Sequence, residues 1–215
     1  MAQIITFLAL SLLVLTLTLV QAQQHPVAPR RARSRARVFI ESQCQTTLYP
    51  TLCVKCLSPY VPSFTKTLSH RQLAQIALKV TLVRAETTQA YINGVAQRLN
   101  RTKGPEARSV KECLDQINDG VDQLTKCIKE AQHIKEDGGS SSEFTWHASN
   151  VQTWMSTALT DASMCIDGIS GRAIGGKTKA LIKARVLNLQ QVTSIALALF
   201  NRFAARFRAA HLLKP

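Results

Sequence analysis

Across residues 110–131 the apolar side chains Val110, Leu114, Ile117, Val121, Leu124, Ile128 and Ala131 recur at unbroken alternating steps of four and three. A helix of 3.6 residues per turn lines such a set along one stripe, and that stripe needs another apolar surface to cover it. Three further stretches make the same demand. Leu73, Ile76, Val80, Val83, Thr87, Tyr91 and Val95 form a stripe that follows Ser69, a residue fit to cap a helix, and runs out before Gly104 and Pro105. Phe144, Ala148, Val151, Met155, Ala158 and Ala162 form a third, after a Gly/Ser connector at 135–142. Ile182, Val186, Leu189, Val192, Ala196, Leu199 and Phe203 form a fourth, starting near Thr178 beyond the glycines Gly168, Gly171, Gly175 and Gly176. No stretch alternates with the period of two that a half-buried strand shows. The pattern predicts an all-α fold, an antiparallel up-and-down four-helix bundle. Residues 38–67 carry Cys44, Cys53 and Cys56 among Pro50, Pro59 and Pro62, which suits a short N-terminal helical hairpin stapled by a disulfide and docked on the bundle.

Ahead of this domain, set at 38–210, lie two segments of different character. Residues 1–22 contain no charged side chain and are almost wholly apolar from 4 to 20, with small residues at Val20 and Ala22. That is the profile of a secretory signal peptide cut before Gln23, although the usual charged start is missing apart from the amino terminus. Residues 23–37, rich in Gln, Pro, Ala and Arg, bury too little to order and predict a basic disordered arm bearing Arg30, Arg31, Arg33, Arg35 and Arg37. An exported chain has no membrane association after cleavage and can use the glycosylation sequon at Asn100, Arg101 and Thr102. The net charge of +14 is uneven: residues 38–167 balance 13 basic against 13 acidic groups, whereas everything after Asp167 carries nine Lys or Arg and no acid. The basic ends must attract a polyanion, and acidic polysaccharide fits an exported protein better than nucleic acid, because no aromatic-studded basic face or finger pattern accompanies the charge.

Six cysteines in an exported chain of this size point to disulfides. Cys53 and Cys56 make a C-x-x-C pair without the second half of a zinc site, so no metal is expected. Cys44 and Cys53 are close enough to close a local hairpin. Cys113 begins the second long helix and Cys165 ends the third, positions that an up-and-down bundle places side by side. Cys56 and Cys127 remain, either paired with each other or left as buried thiols. His70, His133 and His147 lie on or beside different helices without ligand spacing, and residues 168–176 lack the strand and Lys of a phosphate loop. No nucleophile stands beside a base, so neither a catalytic residue nor a cofactor is expected. The most suggestive feature outside the core is Asp115, Asp119 and Asp122, which at 100° per residue share one line almost opposite the 110–131 stripe. Like charges at this spacing oppose the isolated helix, and an uncompensated acidic line suits a partner that supplies donors or cations.

Residues 39–60 (FIESQCQTTLYPTLCVKCLSPY), 150–168 (NVQTWMSTALTDASMCIDG) and 193–202 (TSIALALFNR) resemble the plant invertase and pectin methylesterase inhibitor domain, and the resemblance extends over about 38–208. It implies a disulfide-stapled four-helix bundle with bonds Cys44 to Cys53 and Cys113 to Cys165, while Cys56 and Cys127 stand where many relatives have serine. It implies a non-enzymatic inhibitor that covers the pectin-binding cleft of pectin methylesterase in a one-to-one complex, in the apoplast or cell wall. The matching contact positions are Asp115, Asp119, Asp122 and Asp167, with Met164 where relatives usually carry Thr. The branch that inhibits acid invertase uses a Pro-Lys-Phe segment absent here, so pectin methylesterase is the expected target and acid invertase the alternative. No catalytic domain precedes Pro215, and a free-standing inhibitor is expected. A reading of another class is a cationic polyanion-binding or defence protein acting through the arginine arm.

Overall fold

In the computed structural model, residues 35–60, 68–101, 104–134, 140–171 and 176–212 are described, and the expected signal peptide and most of the arm lie outside them. Every regular element among these residues is helical: α1 (Arg35–Cys44), α2 (Pro50–Leu57), a 3-10 turn (Ser58–Tyr60), α3 (His70–Leu99), α4 (Pro105–His133), α5 (Ser141–Ile169) and α6 (Gly176–Leu212). The helix starts follow local chemistry. Ser69 and Gln72 form a reciprocal capping box, the Gln72 amide donating to Ser69 Oγ at 3.1 Å and the Gln72 side chain accepting from the Ser69 amide at 2.9 Å. Pro105 opens α4, where its missing N–H costs nothing, and Ser140 Oγ caps α5 by accepting from the Glu143 amide at 3.2 Å.

Each of the four long helices packs on two others, α3 on α4 and α6, and α5 on α4 and α6, which closes a square up-and-down bundle. The α1 and α2 hairpin lies on α3 and α6. Ile40, Leu57, Leu73, Leu78, Phe144, Met155 and Phe200 fill the hairpin end of the core, and Ile92, Val110, Ile117, Leu124, Ile169, Ile182 and Val186 fill the other. Burying each such side chain contributes roughly 1.5–3 kcal/mol, enough to fix which face of every helix turns inward.

Two stripes run differently from the pattern read in the sequence. On α3, Val83 is 51% exposed and Thr87 is also exposed, while Ala74, Ala77, Thr81, Ala85 and Thr88 point inward. Small inward residues let neighbouring helices approach closely, and the buried hydroxyls of Thr81 and Thr88 are satisfied at 2.8 Å by the carbonyls of Ala77 and Arg84. On α4 the fully buried line is Val110, Cys113, Ile117, Gly120, Leu124, Cys127 and Ala131, with Leu114, Val121 and Ile128 half-buried beside it. The first helix also begins inside the stretch expected to be a disordered arm. Arg35 to Arg37 form its first turn because Ala36 and Ile40 bury together on one face, and Arg37 Nε donates to Glu41 Oε1 at 3.1 Å.

Cys44 bonds Cys53, joining α1 to α2, and Cys113 bonds Cys165, joining the start of α4 to the end of α5. Cys56 and Cys127 are free thiols, so the extra bond left open by the sequence is not made.

Candidate functional site

Asp115, Asp119 and Asp122 are exposed along the outer line of α4, opposite the buried 110–131 line, and none forms an ion pair among the described residues. Asp115 lies two residues beyond Cys113, Met164 precedes Cys165 and Asp167 follows it by two. The bond between those cysteines therefore sets side by side the helix ends that carry Asp115 on α4 and Met164 and Asp167 on α5. Met164 is 52% exposed, an apolar side chain at the rim of an acidic surface. Asp119 and Asp122 continue the line from Asp115 along α4.

One acid of this face escaped the sequence reading. Asp161 on α5 is only 8% exposed, and its Oδ2 has no hydrogen-bond partner. It packs against the backbone of α4 at Gly120, where a Cβ would stand 3.8 Å from the Asp161 Cβ. Burial first, and the charge of Asp119 second, push its pKa above the ordinary 3.8. Spacing would have found it, because Asp161 follows Ala158 by three and precedes Cys165 by four, on the inward line. A carboxyl with a raised pKa stabilises the fold when protonated, so its contribution is complete below 3.8 and is lost as pH rises through the raised value. Asp161→Asn is accordingly expected to raise the melting temperature by a few degrees at neutral pH, equivalent to about 1 kcal/mol. The gain should vanish in melts at about pH 3. An equal gain at both pH values would show that the ionised carboxylate is not its source.

Further along the same helix pair, Glu130 Oε1 accepts from Asn150 Nδ2 at 2.6 Å and pairs with His147 Nδ1 at 2.8 Å. His133 stacks on His147 with ring centroids 5.5 Å apart. Burial alone would raise the Glu130 pKa, but the hydrogen bonds from Asn150 and His147 and the field of the two histidines outweigh it and hold the carboxyl below its ordinary range. This network, with Gln89 on Asn118 at 2.9 Å and Gln190 on Ser163 at 2.7 Å, fixes the register of neighbouring helices and needs no ligand. Beside the acidic line, the exposed face of α5 presents Thr153, Ser156, Thr157 and Thr160. The hydroxyls of Ser156, Thr157 and Thr160 donate to carbonyls four residues back, which leaves their lone pairs outward as acceptors.

The outer face of α4 and α5 is thus an acceptor-rich surface suited to bind donors or cations on a partner. Among the described residues no group of three His, Cys, Asp or Glu could hold a metal ion, and no helix is long and apolar enough to cross a membrane. Asn100 is exposed where α3 ends, and Arg101 beside it is exposed too; Thr102 lies outside the described residues.

The family model for the plant invertase/pectin methylesterase inhibitor domain matches residues 38–199. The chain is 40% identical over 194 residues to Pectinesterase inhibitor 9 of Arabidopsis thaliana, covering 90% of this chain and 93% of that one. It is 42% identical over 182 residues to Pectinesterase inhibitor 11 of the same plant, covering 84% and 88%. The crystal structure of a mutant form of a pectin methylesterase inhibitor from Arabidopsis shares the fold at 18% identity, with a TM-score of 0.56 over 75% of this chain and 95% of that one.

Proposed function

The chain belongs to the plant invertase/pectin methylesterase inhibitor family, and on that premise we propose that it is a proteinaceous inhibitor of plant pectin methylesterase rather than a catalyst. It docks one-to-one over the enzyme's pectin-binding cleft through the face bearing Asp115, Asp119, Asp122, Met164 and Asp167. The observation that carries this reading is the exposed carboxylate line of α4, which has no ion-pair partner of its own among the described residues. A surface that spends none of its acceptors internally is free to meet the donors with which an enzyme holds an anionic polymer. Met164 offers apolar contact where a hydroxyl would have offered a hydrogen bond, which alters affinity and leaves the docking mode intact.

The inhibitor acts in the apoplast, exported by residues 1–22 and glycosylated at Asn100, and its basic arm attracts acidic pectin. The test is to produce residues 23–215 under oxidising conditions and titrate them against a plant pectin methylesterase and an acid invertase in parallel. Stoichiometric loss of methylesterase activity alone is expected. Loss of invertase activity instead would overturn the target, and loss of neither would overturn inhibition itself.

A further inference from the structure

The bundle divides its charge between two opposite faces. Helix α6 carries seven Lys or Arg and no acid, and α3 carries four with one acid, Glu86. Helices α4 and α5 together carry nine acids against four basic residues. Because α3 and α6 adjoin along one side of the square and α4 and α5 along the other, the basic face turns directly away from the proposed docking face.

A groove of about 280 Å³ runs between α3 and α6, lined by Arg84, Thr87, Thr88, Leu181, Arg185 and Asn188. The Arg185 guanidinium lies 4.1 Å above the Tyr91 ring centroid. The cation–π contact holds the guanidinium over the ring, and its N–H donors can meet a carboxylate with two parallel hydrogen bonds. Neither Arg84 nor Arg185 forms an ion pair among the described residues. Exposed Thr87 donates its hydroxyl to the Val83 carbonyl at 2.7 Å, so its oxygen accepts from outside, while Thr88 beneath it is buried. Leu181, 48% exposed, adds an apolar contact. Two guanidiniums, one hydroxyl acceptor and one apolar side chain match a sugar ring that bears a carboxylate. Binding of a single strand by base stacking would need a free aromatic face, and Arg185 already covers Tyr91.

We propose that this α3 and α6 groove binds the carboxylates of an acidic, uronate-type polysaccharide, so that one face holds the polymer while the opposite face holds the enzyme. The choice of polymer rests on the proposed function, and the site is built only from residues of α3 and α6.

The experiment measures binding of residues 23–215 to polygalacturonate, to fully methyl-esterified pectin and to single-stranded poly-dT, with methylesterase inhibition assayed separately. The parent should prefer polygalacturonate. The Arg84→Gln/Arg185→Gln variant should bind it about tenfold more weakly, the scale of losing hydrogen bonds to a charged group. Removing the same charge elsewhere on α6, with Arg206→Gln/Arg208→Gln, should weaken it by less than about twofold. Arg185→Lys, which keeps the charge and loses the planar fork, should fall between the parent and the double variant. Inhibition should be unchanged throughout. Equal losses in the groove and control variants would overturn the groove, and so would equal binding of the esterified polymer or groove-dependent binding of poly-dT at the same strength. Failure of the parent to inhibit would overturn the function while leaving the polymer measurement standing.

Discussion

Replacing Asp119 with alanine is expected to raise the inhibitor concentration needed for half inhibition about 30-fold or more, the effect of losing roughly 2 kcal/mol at an interface where truncating one member of a charged pair costs about 2–5 kcal/mol. Asp119 is chosen because it stands between Asp115 and Asp122 on the exposed line and beside the buried Asp161, near the middle of the proposed contact. Truncation at the centre of an interface costs more than truncation at its rim. Asp119→Lys should cost more again, since a cation would then oppose the donors that a carboxylate satisfies. Folding should barely change, because Asp119 is exposed and makes no ion pair among the described residues, and surface substitutions of that kind stay within about 0.5 kcal/mol. Thermal melts and inhibition titrations on the same preparations check both halves. An Asp119→Lys variant that inhibits as well as the parent would remove this face from the interface.

Removing the bond between α4 and α5 with Cys113→Ala/Cys165→Ala is expected to cost roughly 4 kcal/mol of stability, from the closure entropy of a loop with its ends 52 residues apart. That is a large share of the 5–15 kcal/mol typical of a folded domain, and it corresponds to a fall of about 10 °C in melting temperature. Cys44→Ala/Cys53→Ala, which frees ends only nine residues apart, should cost roughly 2.5 kcal/mol by the same relation. The two losses differ in reach as well as size. The first also loosens the helix ends that carry Asp115, Met164 and Asp167, so inhibition should weaken at temperatures where the variant is still folded. The second acts at the hairpin, at the other end of the core. Melts of the oxidised parent against both variants give the comparison, and a Cys113→Ala/Cys165→Ala melt that matches the parent would mean the bond contributes nothing to stability.

The bundle was legible because its stripes repeat near 3.6 residues and no strand pattern competes with them. The pairing of Cys113 with Cys165 was legible for a related reason, since antiparallel neighbours bring the start of one helix to the end of the next. What the pattern missed follows from one habit, that of weighing apolar bulk. On α3 that habit selected Val83 and overlooked Ala77, Thr81 and Ala85, whose smallness is what admits a neighbour. On α4 it selected Leu114, Val121 and Ile128, which are flanks, over Cys113, Gly120 and Cys127, which are centre. Asp161 was passed over because acids are usually outside, and its inward spacing was the only sign. The stack of His133 on His147 had no sequence sign at all, since residues fourteen apart on two helices meet only once the register is set.

Cys127 gives the packing of α4 on α5 a part in oxidative folding. Its Sγ lies under α5 against the Val151 carbonyl at 3.5 Å, and burial pushes the thiol pKa up to about 12. Only the thiolate attacks a disulfide, so at the pH of any living compartment this sulfur is inert once the two helices have docked. Before docking it is an ordinary cysteine among six, free to capture the wrong partner. Docking therefore withdraws this sulfur from thiol exchange in the folded protein, leaving Cys56 as the more accessible of the two free thiols.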